Sequence, residues 1–488
     1  MNQAIIAASR FGYGAGPDGT AAIGGDPRGW LKSQLARPQI PASFAALQPS
    51  SALVVTYQQL QQQRREAKAD GGEAPQRPVR MARINQTPRG ADARGGPDEM
   101  AMDAPVMADP QKDKGPAPSP EQKLLRQAFL AETGAKLDAV TLSQTPFAER
   151  LVSFWANHFT VSGIRPVVRP LAGSFEREAI RPHIKGRFED MVLAVVQYPA
   201  MGLYLDNWVS VGPESRVGSR GKRGLNENLG RELLELHTLG VDGGYSEQDV
   251  RALARILTGW SIGGPRVGDP GHFVFVPQIH EPGPKVLLGQ TYPEAGMAEG
   301  LLAIRAIAHH PSTARHVARQ LAVHFIADQP PQAAVDRLAQ VFLQSGGDLH
   351  AVSLALVDQP EAWSSYQQKI KSPFDLVASA IRATGRGLRP EQAVQTFDRL
   401  GQGLHMAPSP AGWPDDAAAW IGPEAVLRRV EWAQAYADQV GDDVDPVQLT
   451  NAVLGDTIAP DQHQAIARAE SRPTALAMLF ASPAFQRR

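Results

Sequence analysis

The amino-acid sequence predicts a mainly α protein, a large multi-helix, orthogonal bundle-like domain carrying one small β-hairpin. Three observations lead there. Apolar residues recur at three- and four-residue spacing along most of the chain, strand-like runs are confined to one short region, and Ser or Pro stands where several periodic stretches begin. No repeat of fixed period appears, which argues against a solenoid.

With 488 residues and 43% hydrophobic content, the chain can bury a substantial core. It has room for two or three domains, or for one large helical domain with an insertion. Its 49 basic and 50 acidic residues leave a formal net charge of −1, which argues against a general nucleic-acid binder. No apolar run approaches the roughly 18–20 residues that span a bilayer. The opening MNQAIIAASRFGYGAG has no basic segment ahead of a long apolar one, so on its own it points to the cytoplasm. The absence of cysteine excludes disulfides, thiolate ligands and cysteine nucleophiles, and it fits cytoplasm and periplasm alike.

Taken in order, residues 1–61 read as the N-terminal helical part of the domain. Residues 62–122 are rich in Pro, Gly, Arg, Lys, Asp and Ala and nearly free of aromatics. Such a stretch cannot bury enough apolar surface to offset its ordering entropy, so it is expected to be a flexible low-complexity insertion. The main helical domain follows over 123–488. Its helices are predicted from the periodic stretches Leu124–Thr133, Phe147–Phe159, Phe188–Gln197, Leu301–Ala308, Ala314–Phe325, Ala333–Leu343, Pro373–Ala383, Glu424–Ala437 and Thr474–Phe480. Ser246 and Asp249 form a capping-box pattern, and Pro311-Ser312 and Ser372-Pro373 open two further helices. The runs His272–Pro277 and Lys285–Gly289, on either side of HEPGP, predict the hairpin.

The stretch Asn226–Trp260 reads as helix, glycine-rich turn, helix, with Trp260 at the end of the second helix. Its first twelve residues hold two Asn, three Glu, an Arg and a His among leucines. At about 100° per residue, Asn228, Arg231, Glu232 and Glu235 share a wedge about 100° wide, with His237 on the far side. One reading is a wet face of ion pairs, Glu227 with Arg231 and Arg231 with Glu235. The other is acid–base equipment, two carboxylates a turn apart beside an Arg and an Asn.

In ERLVSFWANHFTVS, His158 shares the apolar stripe of Phe147, Leu151 and Phe154, with Asn157 on a flanking face. It is either a core histidine bonded to a carbonyl or a desolvated base poised near neutral pH. The hairpin turn gathers His280, Glu281 and Lys285, with His272 upstream. No metal-ligand spacing appears: there is no HxxxH, HExxH or DxDxDG, and His316 and His324 lie two helical turns apart. FGYGAGPDG is glycine-rich but follows no strand, so it is weak evidence for a phosphate loop. Trp413 and Trp420 lie in a Pro- and Gly-rich loop, where rings can serve as stacking platforms.

FWANHF, NENLGRELLELHTLGVDGGYSEQDVRALARILTGW, the H-x-P-G-x-K-x-x-L-G run from His280 to Gly289, HPSTARHVARQLAVHF, KSPFDLV and SPAGWPDDAAAW resemble the bacterial domain-of-unknown-function family 1800. The opening RFGYGAGP matches as well, and the resemblance extends over the whole chain apart from 62–122. It implies no particular chemistry. It does imply possible export to the periplasm or beyond, and a protein partner resembling a sulfatase, hence work on envelope or extracellular glycans.

The expectation is therefore a hydrolase-type enzyme acting on a carbohydrate or related polymer by carboxylate acid–base chemistry, with no cofactor. Glu232, Glu235 and His158 are the expected catalytic residues. Asn228, Arg231, Asn157, His237, His280, Trp260 and Trp413 are expected to contact substrate. A non-catalytic helical scaffold for a co-exported enzyme is the alternative, and a metal-dependent hydrolase or oxidase is a third reading.

Overall fold

A computed structural model describes residues 3–69, 118–221, 224–264, 267–364 and 369–488. The chain separates into two units, Met1–Val55 with Leu125–Arg488, and Thr56–Leu124. The smaller unit contains the end of the helix Ser50–Ala69 and the start of the helix Pro120–Leu142. Helical structure therefore enters the predicted low-complexity stretch from both ends, while its residues 70–117 lie outside the described ones.

The larger unit is mainly α, as the periodicity predicts. Each predicted stretch lies in a helix, apart from Phe159, which caps the end of Pro146–His158. The caps behave as local chemistry requires. Ser246 and Asp249 exchange both capping-box hydrogen bonds, and the Ser372 hydroxyl accepts from the Asp375 N–H with Pro373 at the first helical position.

The β structure differs from the expected single hairpin. Phe273–Phe275 pairs antiparallel with Trp260–Ile262, and Lys285–Leu287 pairs antiparallel with Gln290–Tyr292. Pro277, Pro282 and Pro284 lack N–H donors, so the segment between the two predicted strands cannot form a ladder. The second pair closes through Leu288 and Gly289, both at positive φ (52° and 76°), which a two-residue turn of the I′ class needs. Trp260 belongs to a strand, since the helix before it stops at Ile256.

Two aromatic groups occupy the core. Phe11 packs against Phe147, Phe325 and Trp363 at ring separations of 5.5–5.8 Å, and Trp155, Phe159, Phe188 and Phe342 form the second. The glycine-rich opening is a packing turn. A Cβ on Gly12 would sit 2.7 Å from the Ala8 carbonyl, and the Gly12 carbonyl itself accepts 2.7 Å from Arg150 Nε.

The same unit holds a largely buried ion network. Asp375 Oδ2 is 3.3 Å from Arg150 Nη1 and 3.2 Å from Arg488 Nε. Arg488 reaches Asp415 at 3.7 Å, and Lys369 joins Asp328 at 2.6 Å and the Asp415 carbonyl. Removing one member of a buried ionic cluster strands its partners without water. Asp375→Ala should therefore destabilise the fold by about 3–5 kcal/mol, and Glu247→Ala, which breaks an exposed pair with Arg231, far less. Equal losses for the two in chemical denaturation would refute the ranking.

Candidate functional site

An open cleft lies beside this network, lined among others by Tyr13, Arg150, Ser153, His324, Asp375 and Asp415. The helix Pro146–His158 supplies Arg150, Ser153 and Asn157 at three- and four-residue spacing, so they share a face. Arg150 is held on three sides. Its Nε donates to Gly12, its Nη1 faces Asp375, and its guanidinium lies 4.5 Å from the Tyr13 ring centroid. Its Nη2 is buried and has no partner. The Tyr13 hydroxyl donates to Ser153 Oγ at 2.8 Å.

At the end of the helix Pro311–Phe325, His324 Nδ1 donates to Asp415 Oδ2 at 2.6 Å. That bond leaves the lone pair on Nε2, which faces Arg150 Nη1 at a loose 3.5 Å. Burial lowers the His324 pKa to about 4 despite Asp415, so the ring is neutral near pH 7. Burial alone would raise Asp375 and Asp415; Arg150 and Arg488 outweigh it at Asp375, and at Asp415 the contact and hydrogen bond with His324 do so first, followed by Lys369 and Arg488, so both stay below the usual carboxylate range.

Lys136, Glu176, Phe374 and His405 also line the cleft. Lys136 Nζ meets Glu176 Oε2 at 2.5 Å, and Glu176 too is held ionised, mainly by Lys136 against the effect of burial. Glu176 opens a π-helical turn, Glu176–Ile180, at the end of an α-helix. His405 has a left-handed backbone (φ 55°) and a buried Nε2 without a partner. Burial and Lys136 bring its pKa down to about 3.

The sequence-predicted residues divide between this cleft and two other places. Trp413 and Asn157 line the cleft, yet Asn157 uses both amide atoms on Trp413: Nδ2 donates to its carbonyl at 2.9 Å and Oδ1 accepts from its N–H at 2.8 Å. Asn157 therefore positions the Trp413 loop. Gly412, at φ 81°, lets that loop approach, because a Cβ there would lie 2.5 Å from the Asn157 carbonyl.

The charged wedge is rearranged. Its α-helix covers only Asn228–Glu232 and widens into a π turn over Leu233–His237, so a single rotation of 100° per residue does not describe it. Asn226 Oδ1 accepts from the Asn228 N–H, which opens the helix. Arg231 pairs with Glu247 through two 2.7 Å contacts and with Glu227 at 3.7 Å, and the expected pairing with Glu235 is absent among the described contacts. Glu232 and Glu235 stay neighbours on a half-buried face. Burial and Glu235 raise Glu232, which in turn helps push Tyr204 up to about 12. Neither lines the cleft.

His158 does not line the cleft. Its Nε2 donates to the His237 carbonyl at 3.1 Å, and its ring stands 6.1 Å from that of His237 and 6.0 Å from that of His316. His237 is fully buried with both ring nitrogens unpartnered, and burial lowers its pKa to about 3. His280 and Trp260 are core residues. His280 Nε2 and Lys285 Nζ both bond the fully buried Glu299, at 2.9 and 2.7 Å, and Trp260 packs its ring over Gly300 at 2% exposure. Among the described residues, no three His, Asp or Glu side chains are grouped to hold a metal ion, and no helix is long and apolar enough to cross a membrane.

Sequence reasoning missed Tyr13, Arg150, His324, Asp415 and His405 as a group. The only local signals were His324 at the end of a strongly patterned helix and Asp415 in the W-P-D-D run. Together, fold and cleft define a cysteine-free, mainly α protein with a histidine–carboxylate pair at an open cleft. The family described as "Protein of unknown function (DUF1800)" matches residues 6–487, and the chain belongs to it. No curated protein and no solved structure matches the chain.

Four imidazoles, that of the fully buried His237 and those of the part-buried His158, His324 and His405, have pKa values well below that of a free histidine. In the unfolded chain they bind protons near pH 6.5, whereas in the fold they do so only far below that. The unfolded state is thus favoured increasingly as pH falls from about 6.5 towards 4. The melting temperature should drop over that window, and His237→Leu should flatten the drop. An unchanged slope in His237→Leu would rule out that assignment.

Proposed function

We propose that the chain is a hydrolase acting on a carbohydrate or related polymer, with its acid–base work done in the cleft by His324. One observation carries this reading: the 2.6 Å Asp415–His324 bond, whose neutral imidazole faces the cleft beside an Arg150 guanidinium with one unpartnered N–H pair. Asp415 fixes the tautomer and would stabilise the imidazolium formed when a water displaces the loose 3.5 Å Arg150 Nη1 contact at His324 Nε2 and gives up its proton there. The hydroxide so formed adds to the scissile carbon, and Arg150 Nη2 is a ready donor for the oxygen on which negative charge builds. His324 then returns the proton to the leaving group.

This division of labour favours an ester or amide bond on the polymer over a glycosidic one. A glycosidic bond needs a protonated acid at the leaving oxygen and builds positive charge on the sugar. Asp375, Asp415 and Glu176 are all held ionised, and a guanidinium would oppose that positive charge. The Trp413 ring supplies an apolar face of the kind that stacks on sugar rings.

On a confirmed substrate, His324→Gln should lower kcat by about 10²–10⁴-fold. Glu232→Gln and Glu235→Gln should change it less than about threefold, as expected for groups outside the cleft. Because His324 must be unprotonated, wild-type kcat should hold on the acid side until pH approaches about 4 and then fall. The reverse mutational pattern, with Glu232→Gln inactive and His324→Gln active, would move the site to the charged wedge.

A further inference from the structure

We propose that the part of the cleft where His405 stands beside the Lys136–Glu176 pair binds an uncharged, polyhydroxylated part of the substrate, with His405 as the specificity-determining residue. This rests on the cleft being the active site. The first observation is the cancellation of charge. Lys136 is matched by Glu176 at 2.5 Å, Arg150 by Asp375 at 3.3 Å, and Asp415 bonds His324 at 2.6 Å and has Arg488 at 3.7 Å. Apart from Arg150 Nη2, which the proposed reaction reserves for the reacting oxygen, a ligand with net charge would have to compete with one of these partners, whereas a hydroxyl need not. It can donate to a carboxylate lone pair and accept from an ammonium or imidazole N–H at the same time.

The second observation is His405 itself. A left-handed backbone is uncommon for a side chain of this size, and it persists only where the surroundings impose it. Here they do. The His405 carbonyl accepts from the Gly163 N–H at 2.6 Å, and the Ala407 carbonyl accepts from Ser162 Oγ at 2.8 Å. These bonds hold the loop across the start of the next segment, while the imidazole lines the cleft with Nε2 buried and unpartnered. A strained backbone that delivers an unsatisfied polar atom to a cleft is the pattern of a binding residue. The Phe374 ring beside Lys136 (5.2 Å) gives the same part of the cleft an apolar face, suited to the C–H side of a sugar ring.

The test is calorimetric binding of neutral gluco-, xylo- and manno-hexasaccharides and of matched uronic-acid hexasaccharides to the full chain. Wild type, His405→Gly, His405→Asn and Trp413→Ala are compared, with melting temperatures recorded for each. Wild type should bind at least one neutral sugar at least tenfold more tightly than its uronic counterpart. His405→Gly should lose tenfold or more of that affinity at an unchanged or higher melting temperature, since glycine relaxes the positive φ. His405→Asn, which tolerates the same backbone and keeps a donor, should recover part of it. Preference for the uronic sugars, unchanged binding in His405→Gly, or a fall in melting temperature in both His405 variants would overturn the proposal and leave the cleft reading standing. Binding to no probe, or binding that Trp413→Ala leaves intact, would overturn both.

Discussion

Asp375 is the carboxylate around which the cleft is built. It is buried between the guanidiniums of Arg150 and Arg488, from segments separated by more than two hundred and by more than one hundred positions in sequence. Ions removed from water to this degree are tolerated only with close pairing geometry, here with Arg150 Nη2 left unpartnered. That requirement propagates outward. Arg150, anchored on Asp375 and Gly12, lies over Tyr13 and turns a nitrogen to His324, and Arg488 carries the constraint to Asp415 and hence to the loop bearing Trp413. The planar fork of arginine suits this bridging role in a way a lysine ammonium would not.

How much of this was legible in the sequence follows from the range of each interaction. Helices were readable because their signals are local, such as the apolar stripe of Ala314–Phe325 or the Ser372–Asp375 cap. The hairpin was misassigned because strand runs do not name their partners: Phe273–Phe275 joins a segment ahead of it, and Lys285–Leu287 one just behind. The π turn at Leu233–His237 was invisible, since its composition is that of an ordinary helix. The cleft was least legible. Tyr13, Lys136, Arg150, His324, His405 and Asp415 meet only through tertiary folding, and a single sequence carries no record of those contacts.

Several residues that look functional in the sequence are explained by packing. In the H-x-P-G-x-K run, His280 and Lys285 clamp Glu299, which itself accepts from the Ala295 N–H. Gly230 lets two helices touch, because a Cβ there would meet the Val250 carbonyl and the Ala254 nitrogen at 3.0 Å. A motif rich in ionisable groups can thus be a fastener, and these are separate from the cleft-lining groups of the same signature stretches.

The matching of every charge along the cleft also bears on how a ligand arrives. Paired charges at 2.5–3.7 Å act as short dipoles whose field dies away within a few ångströms of the surface. Such a mouth does not draw partners from solution by long-range attraction. Encounter is left to plain diffusion and the orientation of the incoming chain, with rates of order 10⁵–10⁶ M⁻¹s⁻¹ that respond little to ionic strength. For the polymer substrate proposed above, capture then depends on contact at the aromatic walls, where a long chain presents many equivalent segments.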